Sequence, residues 1–128
     1  MSLTTEDTIE ILQLYSRYCT AIDTGDGEGF GACFVPDGIF DNGINVIEGQ
    51  EGIAEFAAQT HSAMPGLRHN ATNVVVDGDG RTARGSAFLI GYVVNGGFNV
   101  IVTGRYDDEL TKSADGWRFT HRVFKADA

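Results

Sequence analysis

The second half of the chain is written as four long strand-like runs, each closed by turn chemistry, and that pattern leaves few folds open. Leu67 to Val76 ends in Asp77-Gly78-Asp79-Gly80, Thr82 to Val94 in Asn95-Gly96-Gly97, and Phe98 to Leu110 near Ala114-Asp115-Gly116, with Trp117 to Lys125 as the last run. Gly, Asn and Asp supply the backbone freedom and local hydrogen bonds that tight reversals need, so consecutive runs read as an antiparallel meander. The first half has a different period. Ile11, Tyr15, Tyr18 and Ile22 recur at helical spacing, flanked by Leu14 and Cys19, in a helix that Thr4 or Thr5 can cap and Gly25 ends. A short second helix follows, with Asp26 as N-cap and Phe30, Cys33 and Phe34 at i, i+3 and i+4, and Pro36-Asp37-Gly38 stops it. Ile39 to Asp41 and Ile44 to Ile47 flank Asn42-Gly43, a hairpin signal. A third helix from about Gln50 to Ala63 buries Ile53, Phe56 and Ala57 and breaks at Pro65-Gly66. Helices gathered early and strands gathered late predict a single α+β domain over residues 1–128, with helices on one face of a curved antiparallel sheet.

Composition narrows the partners. A formal charge of -9 argues against a basic surface for nucleic acid or anionic membrane. No apolar run approaches the ~18 residues of a membrane span, and the first residues lack the pattern of a signal peptide, so a cytoplasmic protein is expected. Cys19 and Cys33 read as buried free thiols. With no Cys-x-x-Cys and only His61, His69 and His121, no metal site is expected; with no Gly-x-Gly-x-x-Gly or P-loop spacing, neither is a nucleotide cofactor.

Two residues stand out chemically. Asp23 closes the first helix, where the macrodipole disfavours a carboxylate, so it is either solvated or held there for its chemistry. His69 opens a strand just after Met64-Pro65-Gly66, and imidazole is the side chain that titrates nearest neutral pH. A carboxylate and an imidazole that meet in an apolar pocket make a general acid–base pair. Asp26, Asp37, Asp77, Asp79 and Asp115, by contrast, sit at caps and turns.

The order α-α-β-β-α-β-β-β-β, with Ile11-Leu12-Gln13-Leu14-Tyr15-Ser16-Arg17-Tyr18, Ala21-Ile22-Asp23-Thr24-Gly25-Asp26, Phe34-Val35-Pro36-Asp37-Gly38, Arg68-His69-Asn70, Gly104-Arg105-Tyr106-Asp107-Asp108 and Asp115-Gly116-Trp117-Arg118-Phe119, resembles the nuclear-transport-factor-2-like (cystatin-like) superfamily. Within it, the chain is most similar to the SnoaL-like branch that includes scytalone dehydratase. The resemblance implies a cone of three N-terminal helices packed on a strongly curved antiparallel sheet, and a homodimer through the outer sheet face. It places Asp23 and His69 at the acid–base positions of the dehydratases and Tyr18 beside them. Arg122, with Arg105 as the other candidate, matches an arginine late in the sheet, and Tyr92 stands where scytalone dehydratase has a second pocket histidine.

The expected function is therefore a cofactor-independent lyase or isomerase, dehydratase-like, acting on a small apolar oxygenated molecule of polyketide, steroid or aromatic type. Asp23, His69 and Tyr18 would be catalytic, and Tyr15, Phe34, Phe56, Phe88, Tyr92, Tyr106 and Arg122 would line the pocket. The alternative is a non-catalytic module of the same fold that binds a small molecule or a partner. Period-two alternation puts Phe88, Ile90 and Tyr92 on one face, and sets Arg122 opposite Trp117 and Phe119 unless a bulge intervenes.

Overall fold

In the computed structural model, which describes residues 2–128, the helices are α1 (Thr5–Thr24), α2 (Gly27–Gly31) and α3 (Gln50–Ala63). The strands are β1 (Phe34–Asp41), β2 (Val46–Glu48), β3 (Leu67–Gly78), β4 (Thr82–Val93), β5 (Asn99–Ser113) and β6 (Gly116–Ala126). They form one curved six-stranded sheet in the order β2-β1-β6-β5-β4-β3, with the helices packed on one face. β3 to β6 are the antiparallel meander that the turn signals imply. The β1–β6 pair is parallel, because the chain leaves β1 through the β2 hairpin and α3 and returns beside it only at its end.

Thr4 caps α1 through a capping box. Its hydroxyl accepts from the Asp7 N–H at 3.0 Å, and its own N–H donates to Asp7 Oδ2 at 3.2 Å. The same Asp7 carboxylate accepts from Lys112 Nζ at 2.9 Å and the Trp117 indole N–H at 3.1 Å. One buried acid thus ties the helix start to two strands.

Three local expectations are corrected. α2 stops at Gly31, so Cys33 and Phe34 are not helical. Phe34 pairs with Phe119, and the Phe119 N–H donates to the Cys33 carbonyl at 2.8 Å, so pairing with β6 outweighs a weak helical period. Pro36-Asp37-Gly38 lies inside β1, where the register with β6 slips between Phe34 and Ile39; proline has no N–H to give a ladder. The β1–β2 connection is four residues long. Asp41 faces Val46, and Asn42 Oδ1 accepts the N–H groups of Ile44 and Asn45 at 2.9 and 2.8 Å, which pulls both residues out of the strand.

The core lies between the sheet's inner face and the helices. Ala83, Gly85, Ala87, Leu89 and Gly91 of β4 alternate inward, as do Gly104, Tyr106, Asp108 and Leu110 of β5. Trp117 and Phe119 of β6 follow. Then Leu110 faces Phe119 while Glu109 faces His121, so Thr120 is an extra residue in β6. This bulge reverses the alternation and turns Arg122 into the core, where it is 0% exposed. Its Nε donates to Asp108 Oδ1 at 2.9 Å and its Nη2 to Oδ2 at 3.4 Å. The guanidinium carbon lies 3.5 Å from the Tyr106 ring centre, 4.2 Å from Tyr18, 4.4 Å from Phe119 and 4.9 Å from Tyr15.

Two predictions follow from these buried charges. Arg122→Met leaves Asp108 uncompensated and is expected to cost about 3–5 kcal/mol in urea denaturation, with much of it recovered when Asp108→Leu is added. Hydrogen bonds, from Lys112 first and then Trp117 and Thr4, hold the Asp7 carboxyl well below the usual carboxylate range. A depressed folded pKa stabilises above the unfolded value of about 4, and that stability is lost as pH falls toward the folded value. The urea midpoint of Asp7→Asn should therefore lie below wild type at pH 7 and converge on it as pH drops below about 4. A constant difference down to acid pH would contradict this.

Candidate active site

Asp23 sits in the last turn of α1, which closes on Gly25 in the left-handed conformation at φ 79°. A carboxylate there opposes the helix dipole, and His69, at the start of β3, offsets that cost with two hydrogen bonds. Its backbone N–H donates to Asp23 Oδ2 at 2.8 Å, and its ring Nδ1 meets Oδ1 at 2.6 Å. The two side chains are 12% and 13% exposed, so the pair is mostly dry. An ionised carboxylate only accepts, so the proton lies on Nδ1 and the lone pair of neutral His69 is on Nε2. Among the described residues Nε2 has no hydrogen-bond partner. A ring fixed in orientation and tautomer, with its basic nitrogen free, can move a proton to or from a bound molecule.

His69 lines a half-open recess of about 290 Å³ between α1 and β3. Leu12, Ser16 and Thr20 form its outer helical edge, Tyr15 and Cys19 its inner one, and Asn70, Ala71 and Val74 its β3 side. Tyr15, Cys19 and Asp23 are spaced i, i+4, i+8, so the inner ridge runs directly toward the acid–base pair. Clefts of about 610 and 380 Å³ elsewhere on the sheet contain neither Asp23 nor His69.

The expected ring of pocket residues is dispersed. Tyr18 is buried among Phe30, Phe34, Phe40, Tyr106 and Phe119, with its ring under Arg122, and makes no hydrogen bond to Asp23 or His69 among the described residues. Phe34 and Tyr106 are fully packed in the same core, and Phe56 is half-buried against Phe30 and Phe40. Phe88 is 48% exposed and points outward, because its neighbours Ala87 and Leu89 take the inner positions. Tyr92 shares that outer face, paired with Arg68 and two residues from Ile90, and its ring packs on Phe98 at 4.7 Å. Only Tyr15 of the expected lining reaches the recess.

Sequence reasoning did not single out Asp108, the hub of the buried network. Its carboxylate takes both contacts from Arg122 and the Tyr15 hydroxyl at 2.5 Å. Burial pushes the Asp108 carboxyl upward, while the adjacent guanidinium and the Tyr15 hydroxyl pull it back. Beside an always-charged arginine it forms an ion pair. The one available signal was the double acid Asp107-Asp108, in which alternation must turn one carboxylate inward. Burial also raises Tyr15 and Tyr18 and takes the Cys19 and Cys33 thiols up to about 11, so these groups stay protonated near neutrality. Among the described residues there is no group of three or more His, Cys, Asp or Glu that could hold a metal, and no helix is long and apolar enough to cross a membrane.

Residues 3–123 match the SnoaL-like domain family. The D26N variant of Rv3472 from Mycobacterium tuberculosis, a protein of unknown function, is 32% identical and superposes with a TM-score of 0.88 over 94% of this chain and 71% of that one. An NTF2-like protein with a cystatin-like fold from Novosphingobium aromaticivorans is 28% identical, with a TM-score of 0.87 over 93% and 80% of the two chains. A Catenulispora acidiphila protein in complex with S-DNPA is 25% identical, with a TM-score of 0.81 over 96% and 95%.

The hydroxyl of Tyr15 fits over Gly85, where an added Cβ would collide with it. Tyr15→Phe, which removes a hydrogen bond to a buried charge, should cost about 1.5–3 kcal/mol in urea denaturation. Gly85→Ala should displace the same hydroxyl, so the double variant should lose less than the sum of the two.

Proposed function

This chain belongs to the SnoaL-like domain family, and on that footing we propose that it is a cofactor-independent lyase or isomerase in which Asp23 and His69 transfer protons on a small oxygenated molecule held in the α1–β3 recess. The observation that carries this reading is the 2.6 Å contact between Asp23 and His69 Nδ1, which leaves Nε2 as a positioned base in a recess of about 290 Å³. In the first step Nε2 takes a proton alpha to a carbonyl, and the C–H electron pair moves into an enolate. Asp23 keeps the ring oriented and stabilises the imidazolium that forms. The Ser16 and Thr20 hydroxyls, both in the recess wall, supply donors to the enolate oxygen. From the enolate, expulsion of a β-hydroxyl with a proton returned from His69 gives water and an alkene, which is a dehydration. Reprotonation at another carbon gives an isomer.

A second reading has its own support. The aromatic interior that would have made the family's enclosed hollow is occupied here by Arg122 and its ring neighbours. That favours a binding module in which Asp23 and His69 only satisfy each other. We also propose a homodimer through the outer sheet face, supported by the exposure of Phe88, Ile90 and Val100 there.

Solvent-deuterium incorporation into 2-tetralone, followed by proton NMR, separates catalysis from simple binding. Wild-type protein should accelerate exchange, and His69→Gln should lower that rate by about 10²–10⁴-fold. Asp23→Asn should lower it as well. Exchange unchanged by His69→Gln would reject the enzymatic reading.

A further inference from the structure

The recess beside His69 also limits what can enter it. From its size and its walls we infer that it accepts an uncharged molecule of one or two rings bearing hydroxyl or carbonyl oxygens, and that it rejects both carboxylates and four-ring skeletons. This rests on the recess being the functional site, as proposed above.

Size comes first. A volume of about 290 Å³ is at the bottom of the range for small-molecule sites. At the packing density of organic solids it holds roughly fifteen non-hydrogen atoms. Charge comes second. Leu12, Tyr15, Ser16, Cys19, Thr20, His69, Asn70, Ala71 and Val74 include no lysine or arginine. The neighbouring Asp23 is acidic, the chain carries -9, and the buried Arg122 is committed to Asp108. A bound carboxylate would be desolvated without a counter-charge. A neutral molecule incurs no such cost, and its oxygens can meet the Ser16 and Thr20 hydroxyls while its rings lie on Leu12, Ala71 and Val74.

One wall of the recess depends on a backbone irregularity. Thr72 pairs with Phe88 and Val75 with Ser86, so Asn73 and Val74 together face Ala87. Asn73 is the one non-glycine residue at positive φ (56°) among the described residues. This bulge turns Val74 toward α1, where regular alternation would have pointed it outward. Val74 is therefore a specificity-determining wall.

Amide NMR titration tests the inference with three probes: 4-ethylphenol, its anionic counterpart 4-ethylbenzoate, and the four-ring alcohol estradiol. 4-Ethylphenol should shift the amides of Ser16, Thr20, Asn70 and Ala71, and 4-ethylbenzoate should bind at least tenfold more weakly. Estradiol should leave those amides unmoved. Thr20→Trp, a change at an exposed position that spares the fold, should abolish the phenol shifts by filling the recess, and Val74→Phe should do the same. Equal binding of the benzoate, estradiol shifts at these amides, shifts centred elsewhere, or no shift with any probe would overturn it. Phenol binding that survives in His69→Gln while deuterium exchange is lost supports site and chemistry together. Phenol binding to wild type without exchange upholds the ligand class and removes only the catalytic reading.

Discussion

A charged arginine with no access to water organises the interior. Arg122 can be buried only because Asp108 stands opposite it on the neighbouring strand and Tyr15 completes the carboxylate's hydrogen bonds from the helix side. That arrangement fixes three separate parts of the chain against one another. Helix α1 must sit at the height where the Tyr15 hydroxyl reaches Asp108, and β4 must carry a glycine at position 85 to let it through. The aromatic rings around the guanidinium fill space that a cone of this kind could have left open, and they move the accessible recess to the seam between α1 and β3. The Arg122 Nη1 has no hydrogen-bond partner among the described residues, a local cost that the pair's other contacts offset.

Two of the extra residues in the sheet decide where the side chains of the core and the recess end up. Thr120 turns Arg122 inward, and Asn73 turns Val74 toward the helix. Each changes strand parity by one, so every residue beyond it changes face. Without the first, the guanidinium would lie on the outer surface. Without the second, the recess would lose a wall. The Asp23–His69 pair needs no such device. It lies at the junction of a helix end and a strand start, and the strand's own N–H adds a second bond that locks the carboxylate in place.

Much of this was legible in the residues. The third helix matches its expected limits, and the turns after β3, β4 and β5 fall where Gly, Asn and Asp are concentrated, because those signals are local and strong. The second helix was misjudged at Cys33 and Phe34 because three apolar residues at helical spacing carry little energy against a paired strand. The pocket residues were the weakest part. Phe88 and Tyr92 are large and apolar on alternating positions, and alternation gives two faces without saying which is inner.

What the sequence determined by itself was the inventory and order of elements, the caps of α1 and α2, the turns after β3, β4 and β5, and the placing of Asp23 at a helix end and His69 at a strand start. These depend on interactions within a few residues, which composition and spacing encode directly. Only the tertiary structure decided that Asp23 and His69 touch, that β6 lies parallel to β1, that Arg122 and Asp108 share the core, and that the recess beside His69 lies along α1 rather than inside the cone. Each of those depends on how whole elements pack or on the register two strands adopt, and for Arg122 one inserted residue, Thr120, changes the outcome without leaving a mark in the local pattern.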